Sequence, residues 1–473
     1  MLFPTVAFAL FFVVAFLTNW LVRPQPTAWR LAMIGLSFFF YGYWNPRFIA
    51  LLGSSIVGNY LCARWLSASR DEASKPSQWP LRVGVAINLG VLGFFKYYGF
   101  FTTSAINALD NLGLRAEPPL IHVALPIGIS FFTFQAIGYL VDLHRGTITK
   151  PMPFLDLGVF LSFFPQLVAG PIVRATDMIS QIRRPPDPRT LPAGEAFWLI
   201  GQGLIKKVVI SSYLGSTLVD PVFDVPGNHS RFEVLTAVYG YAVQIYADFS
   251  GYTDIAIGCA LLLGFRFPQN FDSPYRSLSV GEFWRRWHIS LSSWLRDYLY
   301  IPLGGNRGGK LLTARNLLIT MVLGGLWHGA AWTFVGWGAI HGVALITERV
   351  ASERWRPLGL PLPLVNALKW FTTFHIIGLS WIFFRADSFS RAFDILGSLV
   401  GGTPWTPAAP LLVIAVITAV IAGQFLPNER IGQLRTSFIS LNLVGQVALL
   451  AITLTLVDAL GPDGVAPFIY FQF

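Results

Sequence analysis

Long apolar stretches alternate with short polar loops along almost the whole chain. A run of about 20 apolar residues is long enough to cross the hydrocarbon core of a bilayer as one helix. Eleven runs approach or exceed this length, and they lie near 3–21, 28–44, 48–66, 82–100, 121–141, 196–219, 233–263, 330–348, 365–384, 409–427 and 439–458. With no visible repeat or soluble domain, the pattern predicts one all-α polytopic membrane domain over residues 1–473, with about eleven transmembrane helices.

Two further apolar segments do not fit a simple crossing. Residues 154–173 contain Pro165 and a Gly-Pro pair, and both features break a helix. Residues 313–327 are too short to span the bilayer alone and are interrupted by two consecutive glycines. We predict that both segments are re-entrant or half-buried, because backbone outside a helix at membrane depth must be covered by protein or line a water-filled cavity.

Residues 279–300 have the pattern of a surface helix. Ser279 and Glu282 have the spacing of a capping box, which starts a helix. Tryptophans and leucines then recur at helical spacing on one side, and arginines, serines and an aspartate occupy the other side. The pattern predicts one amphipathic helix at the membrane interface, with His288 near the boundary of its two faces.

Composition and charge place the helices in a membrane and orient them. The chain is 54% hydrophobic and 12% charged, whereas soluble proteins have about 25% charged residues. The net charge of +10 comes from bases spread over many short loops, so it does not indicate nucleic-acid binding. Loops on one side contain twenty-one lysines and arginines, and loops on the other side contain eight. Because basic loops stay in the cytoplasm, we predict an outer N-terminus and a cytoplasmic C-terminus.

Two histidines in apolar sequence are the candidates for chemistry. His288 and His328 lie forty residues apart, each follows a tryptophan, and the run 317–346 has no ionisable residues other than histidines. An ionisable side chain at membrane depth indicates a functional site, and a helix-packing histidine is the alternative. Imidazole takes and returns a proton near neutral pH, which suits acyl transfer from a thioester to a hydroxyl. The sequence has no motif for a serine nucleophile, a phosphate loop or a zinc site.

Two carboxylates share one apolar helix with several other polar residues. Asp248 and Asp254 either pair with arginines such as Arg285 or Arg296, or orient an imidazole. The structural alternative is a buried polar clamp between helices, and the sequence leaves both interpretations open.

Basic residues near these segments have two possible uses. Three arginines in the 279–300 segment could bind a phosphate of an acyl carrier, with lipid headgroup binding as the alternative; they are Arg285, Arg286 and Arg296. The consecutive Lys206 and Lys207 are predicted to be interfacial anchors. Trp327, immediately before His328, is a supporting candidate.

At these residues the sequence resembles the membrane-bound O-acyltransferase family, and within it the bacterial alginate O-acetyltransferase branch. The pieces that carry the resemblance run in order over nearly the whole chain, at 126–135, 164–171, 248–254, 270–275, 284–305, 326–329 and 468–473. By this resemblance His328 takes the place of the family's catalytic histidine. His288 takes the place of the second active-site polar residue, which is a histidine in this branch.

The resemblance also implies a fold, a reaction and partners. The family fold is a ring of tilted helices around a central funnel, with its signature region at about 120–350 of this chain. The implied reaction passes acetyl from cytoplasmic acetyl-CoA, with no tightly bound cofactor and no metal, across the bacterial inner membrane. The acceptor would be an exported polysaccharide such as alginate, cellulose or peptidoglycan. The implied partners are the lipid bilayer, a periplasmic SGNH-type acetyltransferase and the polysaccharide secretion machinery.

Two alternatives remain open from the sequence. The chain could be a channel or transporter for an acetyl carrier, with the chemistry performed by a partner. It could also be an enzyme of the same family that acylates a lipid or a protein. Two histidines in apolar sequence and the absence of inverted repeats favour an O-acetyltransferase for an exported polymer over a conduit.

Overall fold

The computed structural model describes residues 1, 3–69, 77–114, 124–168, 170–184, 186–354, 359–402 and 409–460. Secondary structure in these residues is helical, with no extended strand, which confirms the predicted all-α class. The chain forms two compact units: the first is Met1–Leu191 with Cys259–Phe267, and the second is Pro192–Gly258 with Pro268–Phe473. The single membrane domain over residues 1–473 stays a prediction. The terminal piece at 468–473 that contributed to the resemblance lies outside the described residues.

The first unit contains nine α-helices in the described residues. They are α1 (Val6–Val22), α2 (Pro26–Gly42), α3 (Arg47–Ala68), α4 (Gln78–Leu92), α5 (Tyr98–Asn111), α6 (Ile129–Arg145), α7 (Phe154–Ser162), α8 (Phe164–Leu167) and α9 (Ala175–Arg183). A π-helical stretch at Gly93–Tyr97 joins α4 to α5. Phenylalanine rings from α1, α2 and α8 pack together, and the rings of Phe11 and Phe164 lie 5.0 Å apart. The core of this unit is therefore largely aromatic.

The first predicted re-entrant segment is broken where the sequence indicated. Helix α7 ends at Ser162, Phe163 leaves helical geometry, and α8 covers only four residues. Nearly every side chain from Asp156 to Leu167 is shielded by the rest of the unit. The backbone N–H of Phe164, which has no partner within α8, donates to Ser37 Oγ at 3.2 Å. Protein atoms thus cover the break, as backbone at membrane depth requires.

The second unit contains the remaining α-helices of the described residues. They are α10 (Ala193–Leu204), α11 (Ser212–Leu214), α12 (Asp220–Asp224), α13 (Arg231–Leu262), α14 (Val280–Arg286), α15 (Ile289–Leu295), α16 (Lys310–His328), α17 (Trp332–Arg354), α18 (Leu362–Arg385), α19 (Phe389–Gly401), α20 (Leu411–Gly423), α21 (Asn428–Ile439) and α22 (Leu443–Leu460). Three π-helical stretches interrupt or extend them, at Ile205–Ser211, Gly215–Val219 and Arg296–Tyr300.

Three helices in the described residues are long and apolar enough to cross a membrane unaided. They are Arg47–Ala68, the continuous Gln78–Asn111, and Leu362–Arg385. Helices α20 and α21 meet the same standard only as a pair, and they are bent by 102° at their junction. The structure thus supports three or four of the predicted crossings by length and composition, and the total of eleven stays a prediction.

The second predicted re-entrant segment, 313–327, is longer than the sequence indicated. It belongs to α16, a continuous helix of 19 residues that begins at Lys310 and ends at His328. The prediction missed Lys310, Leu311 and Leu312 at the start, where a charged residue precedes the apolar run, and His328 at the end. The Asn316 amide Nδ2 donates to the carbonyl of Gly305 at 3.0 Å, so this buried polar side chain fits the helix rather than ending it.

Helices α16 and α17 form a tightly packed pair. A methyl group built on Gly325 would overlap the carbonyl oxygen of Phe334, and one on Gly338 would overlap that of Met321. Glycines at both positions let the two backbones approach to direct contact. The pair therefore fixes the end of α16, where His328 lies, against the first turns of α17.

Candidate active site

A break between α14 and α15 positions His288. Ser279 Oγ accepts from the backbone N–H of Glu282 at 3.1 Å, so the predicted helix start is confirmed. The helix ends at Arg286, however, and His288 has left-handed backbone angles, with φ 42° and ψ 55°. The predicted continuous amphipathic helix over 279–300 was therefore wrong. His288 is fully buried instead of lying at the boundary of two helix faces.

Asn270 is the physical reason for this break. Its side-chain Oδ1 accepts from the backbone N–H of Ser290 at 3.1 Å and from the Ser290 hydroxyl at 2.9 Å. Its carbonyl oxygen accepts from the backbone N–H of Ile289 at 2.9 Å. These are the first two N–H groups of α15, which have no partner within their own helix. Asn270 thus caps α15 from a separate loop. Its hydrogen bonds offset the free-energy cost of the left-handed backbone at His288, which is on the order of 1 kcal/mol.

Arg286 stabilises the same loop through two acids. Its guanidinium donates to Asp272 at 2.7 Å and to Glu282 at 2.9 Å. Burial alone would raise the pKa of Glu282, but the Leu278 N–H and the Arg286 guanidinium bind the charged form, and the pKa is lowered below its ordinary value. Arg286 is therefore occupied by carboxylates of the protein, whereas Arg285 and Arg296 are exposed. A phosphate-binding role for the three arginines stays a prediction.

The start of α15 and the end of α16 bring the two predicted histidines into one cluster of aromatic rings. The imidazole centroids of His288 and His328 are 6.3 Å apart, and both side chains are buried. Four aromatic rings lie at centroid distances of 4.6–5.7 Å from one or both imidazoles: Phe249, Trp327, Trp337 and Phe384. We refer to these six residues as the histidine cage. It belongs entirely to the second unit.

His288 is not a packing histidine held by its neighbours. Neither its Nδ1 nor its Nε2 has a hydrogen-bond partner among the described residues, although both atoms are buried. A buried polar atom without a partner costs about 1–3 kcal/mol. An imidazole kept in this state beside a second imidazole is available to bind a hydroxyl or carbonyl group of a substrate.

His341, the second histidine of the 317–346 run, shows the opposite arrangement. The indole N–H of Trp284 donates to His341 Nδ1 at 3.3 Å, and His341 Nε2 lies 3.0 Å from Ser380 Oγ. The Ser380 hydroxyl donates to the Ile377 carbonyl at 2.7 Å. Because an indole can only donate, Nδ1 is the acceptor and the proton of this neutral imidazole is on Nε2. Both nitrogens of His341 are therefore occupied, and it is a structural histidine.

The two predicted carboxylates pair with lysines instead of the arginines that the sequence suggested. Asp248 on α13 forms an ion pair with Lys207, whose side chain is 1% exposed. Asp254, two turns later, pairs with Lys206 at 2.7 Å. We refer to these four residues as the lysine–aspartate clamp. It matches the alternative of a buried polar clamp between helices, and the prediction of Lys207 as an interfacial anchor was wrong.

Sequence reasoning missed these lysine partners because of local backbone geometry and distance along the chain. Lys206 and Lys207 lie in the π-helical stretch Ile205–Ser211, where side chains do not follow the periodicity of an α-helix. Close approach of Gly203 and Gly251, whose backbones would meet any added methyl group, brings this stretch against α13. The consecutive lysines were visible in the sequence, but no local rule connected them to α13.

Comparison with known proteins identifies relatives over most of the chain. The model of the membrane-bound O-acyltransferase family, MBOAT, matches residues 144–384, a range that contains all six residues of the histidine cage. The chain is 37% identical to the Pseudomonas putida protein named "Probable alginate O-acetylase AlgI", over 94% of each chain. It is 39% identical to the "Peptidoglycan O-acetyltransferase" of Helicobacter pylori, over 79% of this chain and 74% of that protein. It is 30% identical to the "Teichoic acid D-alanyltransferase" of Streptococcus thermophilus, over 60% of this chain and 75% of that protein.

Proposed function

Since this chain belongs to the membrane-bound O-acyltransferase family, we propose that it passes an acetyl group from cytoplasmic acetyl-CoA to a hydroxyl acceptor that serves an exported polysaccharide. The protein is an acyltransferase, and its relatives are named for alginate, peptidoglycan and teichoic acid. These are exported polymers, which supports an acceptor of the same class. Two of the three relatives are named for acetyl transfer, which supports acetyl as the group transferred.

The observation that carries this proposal is the pair of buried imidazoles in the histidine cage. In the proposed reaction, the acceptor hydroxyl oxygen attacks the thioester carbonyl carbon while His328 takes the hydroxyl proton. The carbon–sulfur bond then breaks, and the proton returns from His328 to the thiolate, which leaves as the free thiol. His288 orients the acceptor hydroxyl. Its ring centroid lies 6.3 Å from that of His328, and neither of its nitrogens has a hydrogen-bond partner among the described residues.

The aromatic walls of the cage contribute by excluding water. Phe249, Trp327, Trp337 and Phe384 leave His328 4% exposed and His288 0% exposed. Exclusion of water protects the thioester from hydrolysis and strengthens the electrostatic interactions of the reacting groups. This supports transfer to a bound hydroxyl in preference to loss of the acetyl group to water.

The proposal also states where the protein lies in the cell and which partner proteins complete the reaction. The protein is a membrane protein, and the excess of basic residues in one set of loops supports a bacterial inner-membrane protein with a periplasmic N-terminus. By resemblance to the alginate branch, a periplasmic SGNH-type partner and the secretion machinery complete the transfer to the polymer. The hydroxyl acceptor at the histidine cage is then a group on that partner or a segment of the polymer.

The test uses the purified protein in detergent or nanodiscs, supplied with acetyl-CoA, the periplasmic partner and a hydroxyl acceptor. Release of free CoA thiol should occur without a sealed membrane, and His328→Ala should lower the rate on the order of 10²–10⁴-fold. His375→Ala is the matched control. His375 is a histidine of α18 bonded to Tyr239 at 2.7 Å, outside the cage, and its loss should leave the rate near wild type.

A conduit for an acetyl carrier predicts different results in the same experiment. Carrier movement across sealed vesicles, no thiol release in detergent with the partner present, and no effect of His328→Ala would overturn the enzyme proposal. Wild-type acetylation of the polymer in cells that express His328→Ala would overturn the role of His328 on its own.

A further inference from the structure

Trp337 provides an indole N–H group that the folded protein does not use. The ring is fully buried, and its centroid lies 5.1 Å from that of His328, edge to face. Its Nε1 has no hydrogen-bond partner among the described residues. A buried tryptophan N–H usually finds a partner, and leaving it without one costs free energy. Trp287 also has a buried N–H without a partner among the described residues, so what distinguishes Trp337 is the position of its donor beside the proposed base.

Packing holds the Trp337 ring in place without any help from its N–H. The ring stacks on Trp381 at 5.6 Å and contacts His341 at 4.7 Å and Phe384 at 5.2 Å by centroid. The next residue is Gly338, at the point where the α16 and α17 backbones touch. A side chain fixed by rings on several sides and by its own backbone is preorganised, as a group that stabilises a transition state must be.

We propose that Trp337 is a catalytic residue whose indole N–H donates a hydrogen bond to the oxyanion formed during acyl transfer. This inference rests on the proposed function. As the acceptor oxygen bonds to the thioester carbonyl carbon, the carbonyl π electrons move onto the carbonyl oxygen, and His328 holds the acceptor proton. The Trp337 N–H stabilises that negative oxygen. The electrons return when the carbon–sulfur bond breaks, and the proton passes from His328 to the sulfur.

Trp327 is the other cage member with an indole N–H, and its ring centroid lies 5.0 Å from that of His328. The remaining four members do not compete with Trp337 for this role. Phe249 and Phe384 have no polar hydrogen to donate. His328 is occupied as the base throughout the step, and His288 is used to orient the attacking hydroxyl. An N–H donor that is buried, rigid and not bonded in the resting protein is the feature expected of an oxyanion site, because it gains its partner only when the charge develops.

The test compares Trp337→Phe with the wild-type protein in the thiol-release assay. Phenylalanine keeps an aromatic ring in the cage and removes the donor, so kcat should fall on the order of 10²-fold while KM for the acetyl donor stays unchanged. The smaller ring also leaves a cavity in the core, so the unfolding temperature of Trp337→Phe should fall as well. Replacing Trp337 with benzothienylalanine, which keeps both fused rings and lacks only the N–H, should give the same loss of kcat without a cavity.

Trp370→Phe is the matched control for a structural indole. The Trp370 N–H donates to the Tyr275 carbonyl at 2.8 Å, and its ring does not contact the cage histidines. Loss of this N–H leaves a carbonyl unsatisfied, so the variant should unfold at a lower temperature with kcat near wild type. The two phenylalanine variants should thus differ in kcat, which falls for Trp337→Phe and stays near wild type for Trp370→Phe.

Two outcomes separate this inference from the proposed function. A benzothienylalanine variant with wild-type kcat, in a protein whose His328→Ala variant is inactive, would overturn the role of Trp337 and leave the acyltransferase proposal standing. Insensitivity of the wild-type reaction to His328→Ala would overturn the proposed function itself. If Trp337→Phe fails to fold, the benzothienylalanine variant decides the question by its kcat alone.

Discussion

Two adjacent residues of α13 belong to two different polar systems. Asp248 faces the lysine–aspartate clamp, and the ring of Phe249 lies 4.6 Å from that of His288 in the histidine cage. Both systems lie in the second unit; the cage and the Lys207–Asp248 pair are buried, and the Lys206–Asp254 pair is partly exposed. In the clamp the charged groups have partners within the protein. In the cage, both nitrogens of His288 and the N–H of Trp337 have none among the described residues.

The difference follows from the cost of burying each kind of group. A charge without a partner in an apolar interior costs several kcal/mol, so the protein must supply a counter-charge. A neutral nitrogen without a partner costs about 1–3 kcal/mol, which a folded protein can tolerate at a few positions. The partnered charges of the clamp therefore fit a structural role, and the neutral groups of the cage that have no partner are available to a substrate.

Removing Lys207 should have the largest effect on stability. Lys207→Met leaves the Asp248 carboxylate buried without its cation, and the Ser211 hydroxyl, which donates to it at 3.2 Å, carries no charge. The loss of one partner of a buried ion pair costs about 3–5 kcal/mol. We expect a large drop in unfolding temperature in detergent and a low yield of folded protein.

The double variant Lys207→Met with Asp248→Leu is the control for this prediction. It removes both charges together and should recover much of the lost stability, because no uncompensated charge remains. If Lys207→Met alone were as stable as the wild type, the structural role assigned to the clamp would be wrong. The clamp and the cage would then not differ in their contribution to stability.

Removing the Asn270 side chain should have an intermediate effect, on activity more than on stability. Asn270→Leu keeps the volume and deletes the acceptor for the Ser290 N–H and hydroxyl, so the left-handed turn at His288 loses its cap. We expect kcat for thiol release to fall about tenfold, which corresponds to a shift of about 1.4 kcal/mol in the barrier.

Ser290→Ala separates the two bonds that Asn270 accepts. It removes the hydroxyl donor and keeps the backbone N–H, so its effect on kcat should be smaller than that of Asn270→Leu. Equal rates for the wild type and Asn270→Leu would show that the turn at His288 holds without this cap, and that the loop at 270–275 does not position the imidazole.

Removing Lys206 should have the smallest effect. The Lys206 and Asp254 side chains are 25% and 16% exposed, and Gln202 also donates to Asp254, at 2.9 Å. Partial exposure and a second donor lower the cost of losing the cation. We expect Lys206→Met to cost less than about 1 kcal/mol in the free energy of unfolding. If Lys206→Met lost as much free energy of unfolding as Lys207→Met, burial of the ion pair would not determine which lysine contributes more to stability.

The sequence was sufficient for most of the helices and for the identity of the two histidines. Apolar runs located the helical segments because period and length are local properties. The break at Phe163 was also predictable, since Pro165 cannot continue a helix. His288 and His328 could be chosen because histidine at membrane depth is costly in any fold.

The geometry around those histidines could not be predicted from local pattern. The periodicity of 279–300 fits one continuous helix, and only Asn270, eighteen residues before His288, ends that helix and fixes the turn. In the same way, Lys207 forms its ion pair with Asp248, which lies forty-one residues later in the sequence. Trp337 looked like any other tryptophan of an apolar helix, because an N–H without a partner can be recognised only when its surroundings are known.

The left-handed backbone at position 288 also limits which amino acids could replace the histidine over evolutionary time. Positive φ at a residue with a side chain is tolerated mainly by asparagine, aspartate and histidine, and readily by glycine. Valine, isoleucine and threonine would be strained there whatever their chemistry. Glycine has no side chain, and aspartate would bring an unpaired charge into the aromatic cage. Backbone geometry and burial therefore favour three neutral residues at this position, glycine, asparagine and histidine, and only the need for a polar side chain excludes glycine.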